Sequence, residues 1–144
     1  MRTQKLYANY PWRKFRNSKS PQSNWSDALA LSYLQGQWAE QQAADYLTSK
    51  GLIVIERNVR KKCGELDLIC RQNETWVCVE VKYRSKHDHG HALEMVNPRK
   101  INRMIAAFNL YLMDNHLNPA HTDVRIDVVA MNETELTWLR NVTV

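Results

Sequence analysis

No apolar run in the 144 residues approaches the about 20 needed to span a bilayer, which argues against a helical membrane protein. The first thirty residues hold no continuous apolar stretch of the kind a secretory signal requires, so a soluble, cytoplasmic chain is expected. Cysteine is scarce: Cys63, Cys70 and Cys78 are an odd set without CxxC spacing. A disulfide framework is therefore not indicated, and free thiols in a reducing compartment are expected. Acidic residues are missing altogether before Asp27.

That last absence divides the chain. Residues 1–26 carry six basic side chains and none acidic, for +6, while the remainder holds fourteen basic and all fifteen acidic residues, for −1. The overall +5 thus sits on a basic N-terminal arm. Pro11 and Pro21 interrupt the arm, and its aromatics Tyr7, Tyr10, Trp12, Phe15 and Trp25 follow no helical or strand period. It reads as a poorly ordered tail, suited either to phosphate and base contact or to docking on the domain. Residues 27–144 read as one domain, a length that buries roughly 68–70% of its unfolded surface. There is no internal repeat.

A helix is expected from Asp27 to Lys50, with Ala39, Ala43, Tyr46 and Leu47 at i, i+4, i+7 and i+8 and Gly51 as its stop. Leu52–Ile55 reads as a short buried strand and Arg57–Lys62 as a basic connection. Glu65–Arg71 and Trp76–Tyr83 read as two strands around a turn at 72–75. Beyond a flexible 85–90 segment, Asn97 and Pro98 cap a helix with an Ile101, Met104, Ile105, Phe108, Leu112 stripe. Strands at Asp123–Met131 and Glu135–Val142 close the chain, giving the order α-β-β-β-α-β-β.

The hairpin carries the chemistry. If it is symmetric about the 73–74 bond, cross-strand numbers sum to 147, pairing Asp67 with Glu80 and Glu65 with Lys82. Period-2 alternation then places those four on one face and Leu66, Leu68, Val79 and Val81 on the other. Directly opposed Cβ atoms lie roughly 4.5–5.5 Å apart, where two carboxylates repel unless a positive charge lies between them. A metal site follows as the sharper reading.

Asp67 followed by Glu80-Val81-Lys82 resembles the D…(D/E)xK constellation of the restriction-endonuclease-like, PD-(D/E)xK superfamily. More closely, five blocks resemble the bacterial YraN-like family: Gly36, Glu40, Ala43, Tyr46-Leu47 and Gly51; Arg57-Asn58; Gly64–Ile69; Glu80–Arg84; and Arg125–Val129. The resemblance runs from about Gly36 to Ala130. Ala39 stands where that family commonly has Gly, and the basic arm lies outside the shared region. The family is similar to archaeal Holliday-junction resolvases. The resemblance implies an α/β fold with an αβββαβ core, a mixed sheet flanked by helices and an extra C-terminal strand. It also implies a metal-dependent endonuclease acting on DNA, including branched or flapped DNA.

Phosphodiester hydrolysis needs a nucleophilic water, charge neutralisation at phosphorus and help for the leaving oxygen, which Mg²⁺ or Mn²⁺ held by oxygen ligands supplies. Asp67 and Glu80 would hold the ion with the Val81 backbone carbonyl, and Lys82 would orient or help deprotonate the water and stabilise the transition-state charge. Glu40 would complete the ligands as the family's helical Glu, and Glu65 would either bridge Lys82 or reach a second ion. The alternative for each is a solvated ion pair. Arg60, Lys61, Lys62, Arg84 and above all Lys100, in the first turn of the second helix, are candidate phosphate contacts. Arg125 and Asp127 read as a structural pair.

His87, His89 and His91 read as a loop rather than a metal tract. Trp38, Trp76 and Trp138 read as packing. A homodimer would suit symmetric two-strand cutting. Two other readings stay open: a non-catalytic nucleic-acid-binding accessory protein, and a protein-interaction subunit.

Overall fold

A computed structural model describes residues 2–6, 10–12, 25–85, 94 and 96–143. Six strands form a single mixed sheet: β1 (Arg2–Lys5), β2 (Ile53–Lys61), β3 (Gly64–Gln72), β4 (Thr75–Tyr83), β5 (Val124–Met131) and β6 (Glu135–Leu139). Helix α1 (Trp25–Ser49) precedes β2, and α2 (Pro98–Asp114) links β4 to β5. The sheet order is β1-β6-β5-β4-β3-β2. β4 and β5 run parallel, as a helical crossover requires, and every other neighbouring pair is antiparallel. From α1 onward the observed order is the expected αβββαββ, in a mixed α/β fold with a helix on each face of the sheet.

Alternation along the central strands divides the core. Val77 and Val79 point to α1, meeting Trp38, Ala43 and Leu47, whereas Cys78 points to α2, meeting Met104, Phe108 and Leu112. Gly51, at φ +93°, ends the first helical segment in the left-handed conformation that favours glycine. Asn97 accepts from the N–H groups of Arg99 and Lys100, so the expected cap of α2 is present. No helix among the described residues is long and apolar enough to cross a membrane.

Two expectations are corrected. Of the strand expected at Leu52–Ile55, Ile53–Ile55 begin a nine-residue strand that absorbs most of the basic connection. It lies at the sheet edge, so Leu52 is buried while Ile53 and Ile55 stay exposed.

Leu66 and Leu68 do not share a face. Leu68 packs toward α1 and Leu66 toward α2, because regular pairing is interrupted at Asn58 and Asp67 between Arg57–Leu68 and Val59–Leu66. Asn58 adopts φ +53° there, a left-handed conformation that asparagine tolerates better than most residues.

Of the two readings of the arm, its described residues, 2–6 and 10–12, favour docking on the domain. Arg2–Lys5 pairs along β6, and Trp12 is 3% exposed within a cluster containing Tyr10, Trp38 and Tyr83. Burial of apolar rings, absent from any periodic pattern, is what holds it.

Candidate functional site

The hairpin turn at Asn73–Glu74 fixes the register from which the site is built. Gln72–Thr75 through Leu68–Val79 all pair with numbers summing to 147, as expected. The regular ladder ends there, one position short of Asp67 and Glu80. At that end Asp67 Oδ2 accepts a 2.9 Å hydrogen bond from the Val81 N–H. The acidic side chain thus takes over a backbone donor at the point where the pleat breaks.

Glu80 is the buried centre, 3% exposed on the α2 side of β4. Its Oε1 lies 3.3 Å from Lys82 Nζ and also forms an ion pair with Lys100, delivered by the first turn of α2. Its Oε2 is buried with no N–H or O–H partner among the described residues. Asp67 lies within hydrogen-bonding reach of Glu80, and such a bond needs a proton on one of the two carboxyls. Burial, and then the Glu80 charge, push Asp67 up to about 7.

Glu40 approaches from α1. Burial raises its pKa, against the opposing effects of Asn58 and Arg57, and the Glu80 charge raises it further. With its amide nitrogen turned to Glu40, Asn58 donates to both carboxylate oxygens at 3.3 Å. Lys82 is lowered by burial and by neighbouring Lys100, with Glu80 opposing. For Lys100, burial works against the charged form, but the bond to Glu80 and its charge outweigh it and hold the group above the ordinary lysine value.

The fold therefore brings together Asp67, Glu80, Lys82 and Lys100, with Glu40 near enough to feel their charge. Among the described residues no group of three or more His, Cys, Asp or Glu side chains is placed to hold a metal ion, so Glu40 does not join the two central acids as one ligand cluster. Glu65 does not meet Lys82. It pairs with Arg60 at 3.2 Å, because beyond Leu68–Val79 the hairpin no longer pairs regularly and β3 follows β2 instead. Lys61 bonds Asp114 at 2.5 Å, while Lys62 and Arg84 are exposed.

Arg125 and Asp127 are structural. Fully buried Asp127 accepts from Arg125, the Trp138 indole and the Asn141 N–H, leaving neither oxygen without a partner. All three cysteines are free, and burial pushes the Cys70 thiol up to about 12. The histidine tract at 87–91 lies outside the described residues.

Two clefts flank the Gly64–Asp67 stretch. One, about 340 Å³, lies between α1 and the β2–β3 pair and has Tyr33, Gln37, Glu40, Asn58 and Asp67 in its walls. The other, about 400 Å³, runs along the start of α2 and is lined by Arg99, Lys100 and Arg103. Tyr33, Gln37 and Asn58 were not legible as site residues. Tyr33 and Gln37 are not themselves among the family-like positions, although Gly36 and Glu40 stand beside them, and Asn58, which is one, gains its place in the cleft from a left-handed kink.

Fold and site define a mixed α/β protein with two contacting carboxyls and two lysines at the heart of its sheet. The chain belongs to the uncharacterised protein family UPF0102, whose model matches residues 39–131. It is similar to UPF0102 proteins of three organisms. It is 44% identical over 109 residues to one of Vibrio cholerae serotype O1, covering 74% of this chain and 89% of the relative. It is 46% identical over 105 residues to one of Shewanella frigidimarina, covering 73% and 94%. With a relative of Herminiimonas arsenicoxydans it shares 42% over 106 residues, 74% of this chain and 83% of the other.

Proposed function

We propose that this protein is a metal-dependent DNA endonuclease of the restriction-endonuclease-like type, as its resemblance to the YraN-like family implies. One observation carries the reading: the buried Glu80 carboxylate, with Oε2 unpartnered, lies beside Asp67 and is bracketed by Lys82 and Lys100. Two acids forced together in a buried place weaken a fold, and a bound divalent cation removes that cost.

The donor set fits such an ion. Asp67 and Glu80 are hard oxygen donors in contact, and the Val81 peptide is already tied to Asp67, so these two side chains and the Val81 carbonyl would hold Mg²⁺ or Mn²⁺. When bound, the ion would neutralise charge at phosphorus and acidify water.

The remaining work falls to the chain's own groups. In hydrolysis the water oxygen bonds to phosphorus and gives up one proton to bulk water, one P–O ester bond breaks, and the leaving oxygen takes up a proton from Lys82, which bulk water then replaces. The Lys82 and Lys100 ammonium groups, now satisfied by Glu80, turn to the non-bridging phosphate oxygens as substrate arrives. They stabilise the charge that grows there. Lys82, which burial and Lys100 make a weaker base than an ordinary lysine, yields its Nζ proton more readily to the leaving oxygen. Arg99 and Arg103, beside Lys100, extend the cationic surface for neighbouring phosphates.

The test incubates purified protein with branched, flapped and linear DNA in Mg²⁺ or Mn²⁺. Cleavage should fall about 100-fold or more in Asp67→Ala, Glu80→Ala and Lys82→Ala, a loss comparable to removing a positioned acid–base group. No cleavage by the natural protein, or equal cleavage by all four, would refute the assignment. DNA binding without cleavage would instead support an accessory binding protein.

A further inference from the structure

The two clefts beside Gly64–Asp67 differ in the sign of their charge. The α2 cleft is cationic, with Arg99, Lys100 and Arg103 outnumbering Glu65. The α1 cleft is acidic: Glu40, Glu65 and Asp67 face a single Arg60, which is already paired with Glu65. A phosphate suits the first and is repelled by the second.

What suits the acidic cleft is a neutral, flat, amine-bearing group. Tyr33 offers an aromatic ring 65% exposed at its mouth, and the Gln37 amide donates to the Tyr33 hydroxyl at 2.6 Å, which steadies the ring. The amides of Gln37 and Asn58 can both donate and accept, and carboxylate oxygens accept from exocyclic amines. Gly36 leaves the wall open, since a Cβ there would meet nothing within 4 Å. At about 340 Å³ the cleft falls at the lower end of the roughly 300–1,000 Å³ usual for small-ligand sites. Asp67 belongs both to its wall and, through Val81 and Glu80, to the candidate reaction centre.

We propose that the cleft between α1 and the β2–β3 pair takes one unpaired nucleobase, stacked on Tyr33, of a DNA strand whose phosphate lies over Lys82 and Lys100. This rests on the nuclease reading above and narrows its substrate to DNA with an unpaired nucleotide at the reacting phosphate. A base inside a duplex cannot enter without leaving its stack, whereas a base at a branch, flap or gap is already free.

The experiment measures binding, in EDTA, of short mixed-sequence single DNA strands in which one abasic residue is moved position by position. A fully paired duplex of the same sequence is the comparison. One abasic position should weaken binding about fivefold or more, the lower end of what a base–aromatic stack contributes. The duplex should bind more weakly than the intact strand. Tyr33→Ala should bind the intact strand as weakly as the natural protein binds that abasic strand, and should lose the dependence on position. Tyr33→Phe, which keeps the ring, should retain it.

Equal binding of all abasic strands, an undiminished abasic penalty in Tyr33→Ala, or no binding of any strand would overturn the proposal. Position-dependent binding without cleavage in Mg²⁺ would uphold the base site and overturn hydrolysis. Cleavage with base-independent binding would do the reverse.

Discussion

Asp67 is the residue whose protonation reports on the whole site. Its carboxyl rises from an ordinary 3.8 to about 7, first through burial and then through the Glu80 charge. Between those values the folded protein holds a proton that the unfolded chain has released. The resulting stabilisation is complete below about pH 4 and is lost as pH rises through about 7. Asp67→Asn, which stays neutral, should therefore gain over the natural protein across that window. The difference in Tm should grow in favour of Asp67→Asn between pH 4 and pH 8. A difference that is the same at both pH values would contradict the raised pKa. Millimolar Mg²⁺ should raise the Tm of the natural protein at pH 8 and leave Asp67→Asn little changed, a thermal measurement independent of cleavage.

At the scale of elements, α2 is the part that finishes the site. Asn97 caps it through two backbone N–H groups and Pro98 starts it, which sets the first turn from which Lys100 reaches Glu80. Asn97→Ala should cost about 1 kcal/mol in urea unfolding. By loosening the first turn it should also weaken the DNA contact proposed for Lys100. An unfolding midpoint equal to that of the natural protein would show that the cap is dispensable. The capping pair and the apolar stripe of α2 were legible as local patterns, and so was Lys100 as a first-turn cation. Its partner was not, because the contact between α2 and β4 depends on how the crossover helix lies on the sheet. The Glu65–Lys82 pairing failed for a related reason: the sum rule holds only while the ladder holds, and the ladder ends at Leu68–Val79.

Across the whole molecule, the N-terminal segment is structural as well as basic. β1 adds a strand to the edge of β6, and Trp12 packs edge-on against both Trp38 and Tyr83, with centroids 5.2 and 5.7 Å away. Trp12→Ala should destabilise the protein by about 3–5 kcal/mol in urea titration, the usual range for removing a buried large aromatic. Among the described residues the buried Trp12 Nε1 has no acceptor. Trp12→Phe, which keeps a ring and drops that donor, should therefore cost less than half as much. A Trp12→Ala protein as stable as the natural one would mean that the segment does not pack in solution. Removing residues 1–12 should accordingly lower stability, besides any loss of phosphate contact.

By itself the sequence determined the element order from α1 onward, the hairpin register as far as Leu68–Val79 and the encounter of Asp67 with Glu80. Each depends on short-range rules: periodicity, turn symmetry, helix caps. Only the tertiary structure decided the rest. Asn58 breaks the pleat, so Leu66 and Leu68 part and Glu65 turns to Arg60. α2 crosses to bring Lys100 onto a buried carboxylate, and Tyr10 and Trp12, outside any period, are held by ring packing. These outcomes depend on contacts between residues far apart in the chain, which no local pattern encodes. The +6 at the N-terminus was plain from composition alone, whereas the division of the clefts beside Gly64–Asp67 into an acidic and a cationic one appears only when α1 and α2 stand on opposite sides of one sheet.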